Sequence, residues 1–200
     1  MFHFSRLTKT ILAFLVIVAA GYGIFLLFEA RQNQVPQSFT AARLQGALIA
    51  QNIVSVSNQS TADLAKVNQY DDAGDYTDAL ALTTTMVAGS QQLRDQAVEL
   101  SNQVGDMTEA LSNISSFDAQ QAALESISSR LALINQLVNY SGDLGQLLNT
   151  LQARFTQKTQ VTNAQIQGLI NQINTDVNAI NNFNAQANAS MDRFDKLTGK

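Results

Sequence analysis

The sequence predicts an all-α protein, built from an N-terminal transmembrane helix and an antiparallel up-down-up-down four-helix bundle of the coiled-coil type. Three observations lead to this fold class. Residues 11–28 form an uncharged apolar run, only one proline occurs in 200 residues, and apolar side chains recur at steps of three and four along four long segments. Because no stretch alternates apolar and polar residues with period two, no β-sheet is expected.

The apolar run at residues 11–28 reads ILAFLVIVAAGYGIFLLF. An α-helix rises about 1.5 Å per residue, so about 20 apolar residues cross a hydrocarbon core about 30 Å thick. Thr10 and Ala30 extend the run to about this length. We therefore predict a transmembrane helix at residues 11–30, through which the chain contacts membrane lipid.

Charges on the two sides of this run predict its orientation. Arg6 and Lys9 precede it, whereas Glu29 and Arg31 on the other side cancel. Positively charged flanks stay in the cytoplasm. We expect a single-pass protein of the cell membrane, with residues 1–10 in the cytoplasm and the chain after the helix outside it.

A cleaved signal peptide is the alternative for this segment. Val18, Ala19 and Ala20 satisfy a small-residue cleavage rule. Cleavage there would leave the apolar stretch GYGIFLLFEA at the new N-terminus, and the run is longer than the apolar part of a usual signal peptide. The uncleaved anchor is therefore the preferred interpretation.

A polar linker at residues 31–37 contains Pro36, and the helical bundle is predicted over residues 38–200. The first helix is expected at residues 38–69 because small and apolar residues recur there with helical spacing. These positions are Phe39, Ala42, Gly46, Ile49, Ile53, Val56, Ser60, Leu64 and Val67.

The second helix begins after Gly74, a predicted helix stop, and Asp75, a predicted N-cap. It carries a stripe of heptad positions, the pattern of knobs-into-holes packing, which we call its seam. The seam residues are Ala79, Thr83, Met86, Ser90, Leu93, Ala97, Leu100, Val104, Met107, Leu111 and Ile114.

The third helix is predicted at residues 119–155, after a capping box formed by Asp118 and Gln121. Gly142 and Gly145 weaken it by about 1 kcal/mol each relative to alanine, which leaves open a kink or loop there. Its apolar positions are Leu124, Ile127, Leu131, Ile134, Val138, Leu144, Leu148, Leu151 and Phe155.

The fourth helix begins with a capping box of Thr162 and Gln165 and runs to about Lys196, with Val161 and Ile166 placed as a hydrophobic staple. Its seam is Ile166, Ile170, Ile173, Val177, Ile180, Asn184, Ala187, Met191 and Phe194. Four helices of similar length joined by short breaks favour one closed bundle. Two long helical hairpins that dimerise are the alternative arrangement.

Composition excludes several kinds of chemistry. The chain has no cysteine, and its one histidine is His3, so the predicted bundle has neither a thiolate nor an imidazole. After the anchor, sixteen acidic residues face ten basic ones, and this net charge of −6 argues against nucleic-acid binding. No phosphate-binding loop or metal-ligand motif occurs. We expect no enzyme activity, and assign no catalytic, cofactor-binding or metal-binding residue.

Two groups of polar residues were candidates for a site. Asp71, Asp72, Asp75 and Asp78 form the densest acidic cluster, and helix capping is the preferred interpretation over calcium binding.

Ser60, Ser90, Ser141 and Asn184 fall on seam positions. Polar residues there fix register or are merely tolerated more often than they line a ligand pocket between helices. These four residues are therefore expected to be structural.

The leading expectation for function is an extracytoplasmic helical interaction or scaffold protein of the cell envelope, with a protein partner or a second copy of itself. The predicted architecture also resembles the input half of bacterial chemoreceptors and sensor kinases. That resemblance implies a sensory or co-receptor domain that binds a small ligand or a partner. We expect the protein to differ from this class, because no second apolar span and no cytoplasmic output domain are predicted after the bundle within residues 1–200.

Overall fold

The computed structural model describes residues 35–156 and 161–199, and every regular element in these ranges is helical. The elements are α1 (Gln37–Ala73), α2 (Tyr76–Ala110), a 3-10 turn (Leu111–Asn113), α3 (Phe117–Phe155) and α4 (Asn163–Thr198). The all-α prediction is therefore confirmed for this part of the chain. The predicted transmembrane helix at residues 11–30 lies outside it. None of the four described helices has an apolar stretch long enough to span a membrane.

Side-chain contacts give the directions of the helices. Gln152, near the end of α3, donates a hydrogen bond to Thr84, near the start of α2, at 3.0 Å. Arg193, near the end of α4, pairs with Glu125, near the start of α3, at 2.7 Å. Close backbone approaches are concentrated between helices that are consecutive in sequence. Consecutive helices therefore run in opposite directions within one bundle.

The first and last helices meet at the end of the bundle where α1 begins. The ring of Phe39 packs on Phe194, with ring centroids 5.2 Å apart. Both terminal guanidinium nitrogens of Arg43 donate to the carboxylate of Asp195, at 2.6 and 2.7 Å. We call this the proximal end; it also carries the α2–α3 turn. The α1–α2 and α3–α4 turns lie at the opposite, distal end.

The predicted turn chemistry at the distal end is confirmed. Gly74 ends α1 with φ of +75°, a left-handed conformation that glycine adopts without strain. The Asp75 carboxylate accepts a hydrogen bond from the backbone N–H of Asp78 at 3.3 Å and so caps α2. Thr162 and Gln165 form the predicted reciprocal capping box at the start of α4.

The start of α3 differs from the prediction. Ser116 is the N-cap, because its hydroxyl accepts a hydrogen bond from the backbone N–H of Ala119 at 3.4 Å. The predicted capping box of Asp118 with Gln121 is therefore wrong. Asp118 lies in the first turn of the helix, where its charge interacts favourably with the positive end of the helix dipole.

The predicted seams of α2 and α4 form much of the core. Every seam position on α4 is buried, and so is every seam position on α2; of the two seam residues beyond α2, Leu111 in the 3-10 turn is partly exposed and Ile114 is buried. The predicted positions of α1 are also buried, except for the half-buried Val56. Periodicity therefore identified the inward face of these three helices correctly.

The first half of α3 agrees with the prediction only in part, because Ile127 and Ile134 are buried as expected but two predicted core leucines are not. Leu124 and Leu131, predicted as core, are 53% and 42% exposed. Several small side chains also face the bundle here, and the hydroxyl of Ser126 donates to the backbone carbonyl of Ala187 on α4 at 2.9 Å. Fully buried small residues in this segment are Ala119, Ala122, Ala123 and Ser126. They allow α3 and α4 to approach closely, which a stripe of leucines would prevent.

Leu100→Ala should strongly destabilise the bundle, whereas Leu124→Ala should have little effect. Leu100 is buried on the α2 seam, and truncating a buried leucine costs about 2 to 5 kcal/mol. An exposed leucine gives up little burial, so surface changes stay within about 0.5 kcal/mol. Urea unfolding of the two variants checks this. Equal losses of unfolding free energy would contradict the assignment of the two faces.

Candidate functional site

A groove of about 630 Å³ lies between α2 and α3. It is wide because small residues of α3 face α2 along this stretch. The lining consists of Val87, Ser90, Gln91, Arg94, Ser141, Gly142, Gly145, Gln146, Asn149, Thr150, Ala153, Val161 and Gln165.

Two glycines shape this groove. A methyl group on Gly145 would lie 3.4 Å from the hydroxyl oxygen of Ser90, so the two helices are already in contact there. At Gly142 a methyl group would meet nothing within 4 Å, so the surface is open. The helix continues through both glycines without the loop that the sequence left open. The glycines therefore supply space and leave the backbone regular.

The two seam serines of the groove are satisfied by their own helices. The Ser90 hydroxyl donates to the backbone carbonyl of Val87, and the Ser141 hydroxyl donates to that of Val138, each at 2.8 Å. Such local hydrogen bonds are usual for serine inside helices. A ligand in the groove would meet hydroxyl oxygens that still have acceptor capacity.

Arg94 is the one charged residue in the lining of this groove. Amide side chains, which both donate and accept hydrogen bonds, supply most of the remaining polarity. The chain after the predicted anchor carries a net charge of −6, whereas the lining of this groove has one positive and no negative side chain. It suits a polar molecule that is neutral or carries a single negative charge.

The other two predicted polar positions lie elsewhere. Ser60 donates to the backbone carbonyl of Val56 at 2.9 Å and takes no part in the lining of the groove. Asn184 is buried on α4 and is also absent from the lining. The structure therefore brings two of the four seam residues, Ser90 and Ser141, to one surface and separates the others from it.

The acidic turn is engaged in local and interhelical contacts. Asp71 forms an ion pair with Arg154 of α3 at 3.1 Å, and Asp72 accepts a hydrogen bond from Asn68 at 3.2 Å. Asp75 caps α2, as described above. Within residues 35–156 and 161–199, no group of three or more acidic or imidazole side chains is arranged to hold a metal ion. These contacts give the turn a structural role.

The structure also brings together two carboxyl groups that the sequence did not suggest. Asp143 of α3 and Asp176 of α4 lie within hydrogen-bonding reach of each other, and only 3% of Asp176 is exposed. Burial raises the pKa of Asp176 to about 6, and the hydrogen bond and negative charge of Asp143 add to this effect. A hydrogen bond between two carboxyl groups requires one of them to be protonated. Asp176 therefore holds a proton in weakly acidic solution.

Asp176 should contribute less to the free energy of unfolding as the pH rises, and Asp176→Asn should abolish this pH dependence. In the unfolded chain Asp176 loses its proton near 3.8, whereas in the folded chain it keeps it until about pH 6. Its contribution is therefore fully present below the lower value and is lost by about pH 6. The loss amounts to at most about 3 kcal/mol, at about 1.4 kcal/mol per pKa unit.

Urea unfolding at several pH values between about 4 and 7 measures this change, with Asp72→Asn as the exposed control. Relative to the wild type, the Asp176→Asn protein should gain stability as the pH rises, and the control should not. Parallel pH profiles for all three proteins would contradict the buried carboxyl pair.

Comparison with protein-family models, curated protein sequences and solved structures finds no match to this chain.

Proposed function

We propose that this protein is a membrane-anchored, extracytoplasmic helical scaffold that holds a protein partner at the cell envelope. The observation that carries the proposal is an outward-facing apolar stripe on α3. Leu124 and Leu131 are seven residues apart and both are exposed, although each is large and apolar. Their spacing is that of a coiled-coil seam.

The third helix thus carries two apolar faces. Its inner face packs in the bundle, so the outer face is left for another helix. Gln121, Ser128 and Asn135 are exposed beside the outer leucines and are uncharged. Binding here would depend on apolar contact and shape more than on charge, so it should be only weakly sensitive to salt. A partner helix with its own apolar stripe fits this surface.

The anchor supports the location. The sequence from residue 11 to residue 30 has the length and apolar character of a membrane span, and its flanking charges favour a bundle outside the cytoplasm. A bundle tethered in this way meets partners in the envelope at high local concentration. This tethering lets a modest apolar stripe give stable association.

The test uses the full chain in its native membrane, with a photo-cross-linking amino acid in place of Ser128. A double variant, Leu124→Gln with Leu131→Gln, should lose the cross-linked product because the apolar contact is gone. The matched control is Leu44→Gln with Leu48→Gln, two leucines of α1 with similar exposure. The control should keep the product, and neither double variant should change the melting temperature by more than a few degrees.

Two outcomes would contradict the proposed surface. The first is a cross-linked product that survives the α3 changes. The second is a product that is lost only with the α1 changes. A product of twice the chain mass would identify the partner as a second copy of this protein.

A sensory or co-receptor role is the second candidate, and the α2–α3 groove is the observation that favours it. Its volume of about 630 Å³ and its single cation, Arg94, suit a small polar or singly anionic ligand. Gly142→Leu would fill the groove where it is open. If this variant loses small-ligand binding while cross-linking at Ser128 is unchanged, the sensory role is favoured over the scaffold.

A further inference from the structure

The α2–α3 turn exposes a large aromatic side chain at the proximal end. Phe117 is the first residue of α3 and is 76% exposed, more than any other large apolar residue in the described ranges. Beside it lies a shallow depression of about 300 Å³. The depression is lined by Leu111, Ser112, Phe117, Gln120, Gln121 and Leu124. This surface is apolar and has no partner within the described chain.

This turn extends beyond the start of α1. Phe194 packs on Phe39 in the first turn of α1, and the residue before Phe194 pairs with Glu125 of α3. Glu125 therefore lies near the level at which α1 begins. Phe117 precedes Glu125 by eight residues, which places it about 12 Å further out at 1.5 Å per residue. The α2–α3 turn therefore projects about this far beyond the bundle, at the end where the N-terminal segment joins α1. We call this projection the overhang.

The direction of the Phe117 side chain reinforces this. Every Cα–Cβ bond in an α-helix tilts toward the N-terminus of that helix. At the first residue of α3, this tilt directs the ring away from the body of the bundle. The Phe117 ring therefore lies at the outermost part of the projecting α2–α3 turn.

The length of the linker decides what this tip can reach. Residues 31–36, between the predicted membrane span and α1, cover at most about 20 Å when fully extended. The overhang of about 12 Å takes up more than half of that length. The headgroup layer occupies a further several ångströms on each side of the hydrocarbon core, since about 30 Å of core becomes about 40 to 45 Å with headgroups. A modest bend in the linker therefore brings Phe117 to the lipid.

We propose that the α2–α3 turn rests on the outer surface of the bilayer, with the ring of Phe117 at the boundary between headgroups and acyl chains. Aromatic side chains on amphipathic surfaces bind lipid at this depth. The proposal rests on the anchor of the proposed function. It gives the bundle a second point of attachment, so that the rod is held at a fixed angle to the membrane.

Charges near the turn set the depth of this contact. Glu109 and Asp118 are exposed on either side of it, and an acidic side chain does not enter the hydrocarbon core. The contact is therefore shallow and does not depend on anionic lipid. A second copy of the chain fits this surface less well than lipid does. An anchored chain always lies next to the bilayer, whereas a second copy is nearby only at sufficient concentration.

The chain contains no tryptophan, so single tryptophan substitutions report on single sites. Phe117→Trp and, as the distal control, Tyr76→Trp are made in the full chain and reconstituted in phosphatidylcholine vesicles. Each variant is measured in two vesicle preparations, one with ordinary and one with brominated acyl chains. The bromine atoms quench the fluorescence of nearby tryptophan. Quenching of Phe117→Trp, with no quenching of Tyr76→Trp, is the expected result. Unchanged circular dichroism confirms that both variants fold.

The remaining outcomes separate this inference from the proposed function. If the full chain floats with the vesicles but neither tryptophan is quenched, the lipid contact is wrong and the anchor stands. If the full chain does not float with the vesicles, both the anchor and the lipid contact fail. A blue-shifted Phe117→Trp emission that grows with protein concentration, without quenching by bromine, would assign the turn to a second copy and overturn the proposal.

Discussion

Closure between α1 and α4 is the contact on which the rest of the bundle depends. The other neighbouring helix pairs are joined by short connections, whereas α1 and α4 are separated by most of the chain. The tilted rings of Phe39 and Phe194 pack against each other, and Arg43 donates two hydrogen bonds to the carboxylate of Asp195. Such a bidentate pair fixes geometry as well as adding energy. Without it, the same helices could remain two hairpins, each with one apolar face exposed.

Periodicity in the sequence predicted the buried faces of α1, α2 and α4 well, although α1 also carries the exposed Leu44 and Leu48. In the first half of α3, where apolar residues occupy two faces, it placed Ile127 and Ile134 correctly but wrongly assigned two exposed leucines to the core. Leu124 and Leu131 face outward, whereas the small residues Ala119, Ala122 and Ser126 face the bundle. The choice between these faces depends on how closely α4 approaches, and spacing within one helix carries no information about that distance.

The candidate site was predictable only in part. Ser90, Ser141 and the two glycines of α3 were singled out from their positions, and the structure joins them in one groove. The Asp143–Asp176 pair was missed because its members lie on different helices, and only the relative register of α3 and α4 brings them together. Neither residue is unusual in its own segment. Contacts of this kind become visible only when helix register is known.

The measurement that tests the account most directly is the distance between the two ends of the bundle chain. Because the protein has no cysteine, Ser38→Cys with Leu197→Cys provides two unique sites for spin labels. Packed helix axes lie about 8 to 10 Å apart, so a closed single-chain bundle predicts a short backbone separation of about 10 to 15 Å. Pulsed electron–electron double resonance on magnetically diluted protein measures the distance between the two spin labels within one chain. A distance near 50 Å, the length of a helix of this size, would show that α4 does not return to the start of α1 and would contradict the closed bundle.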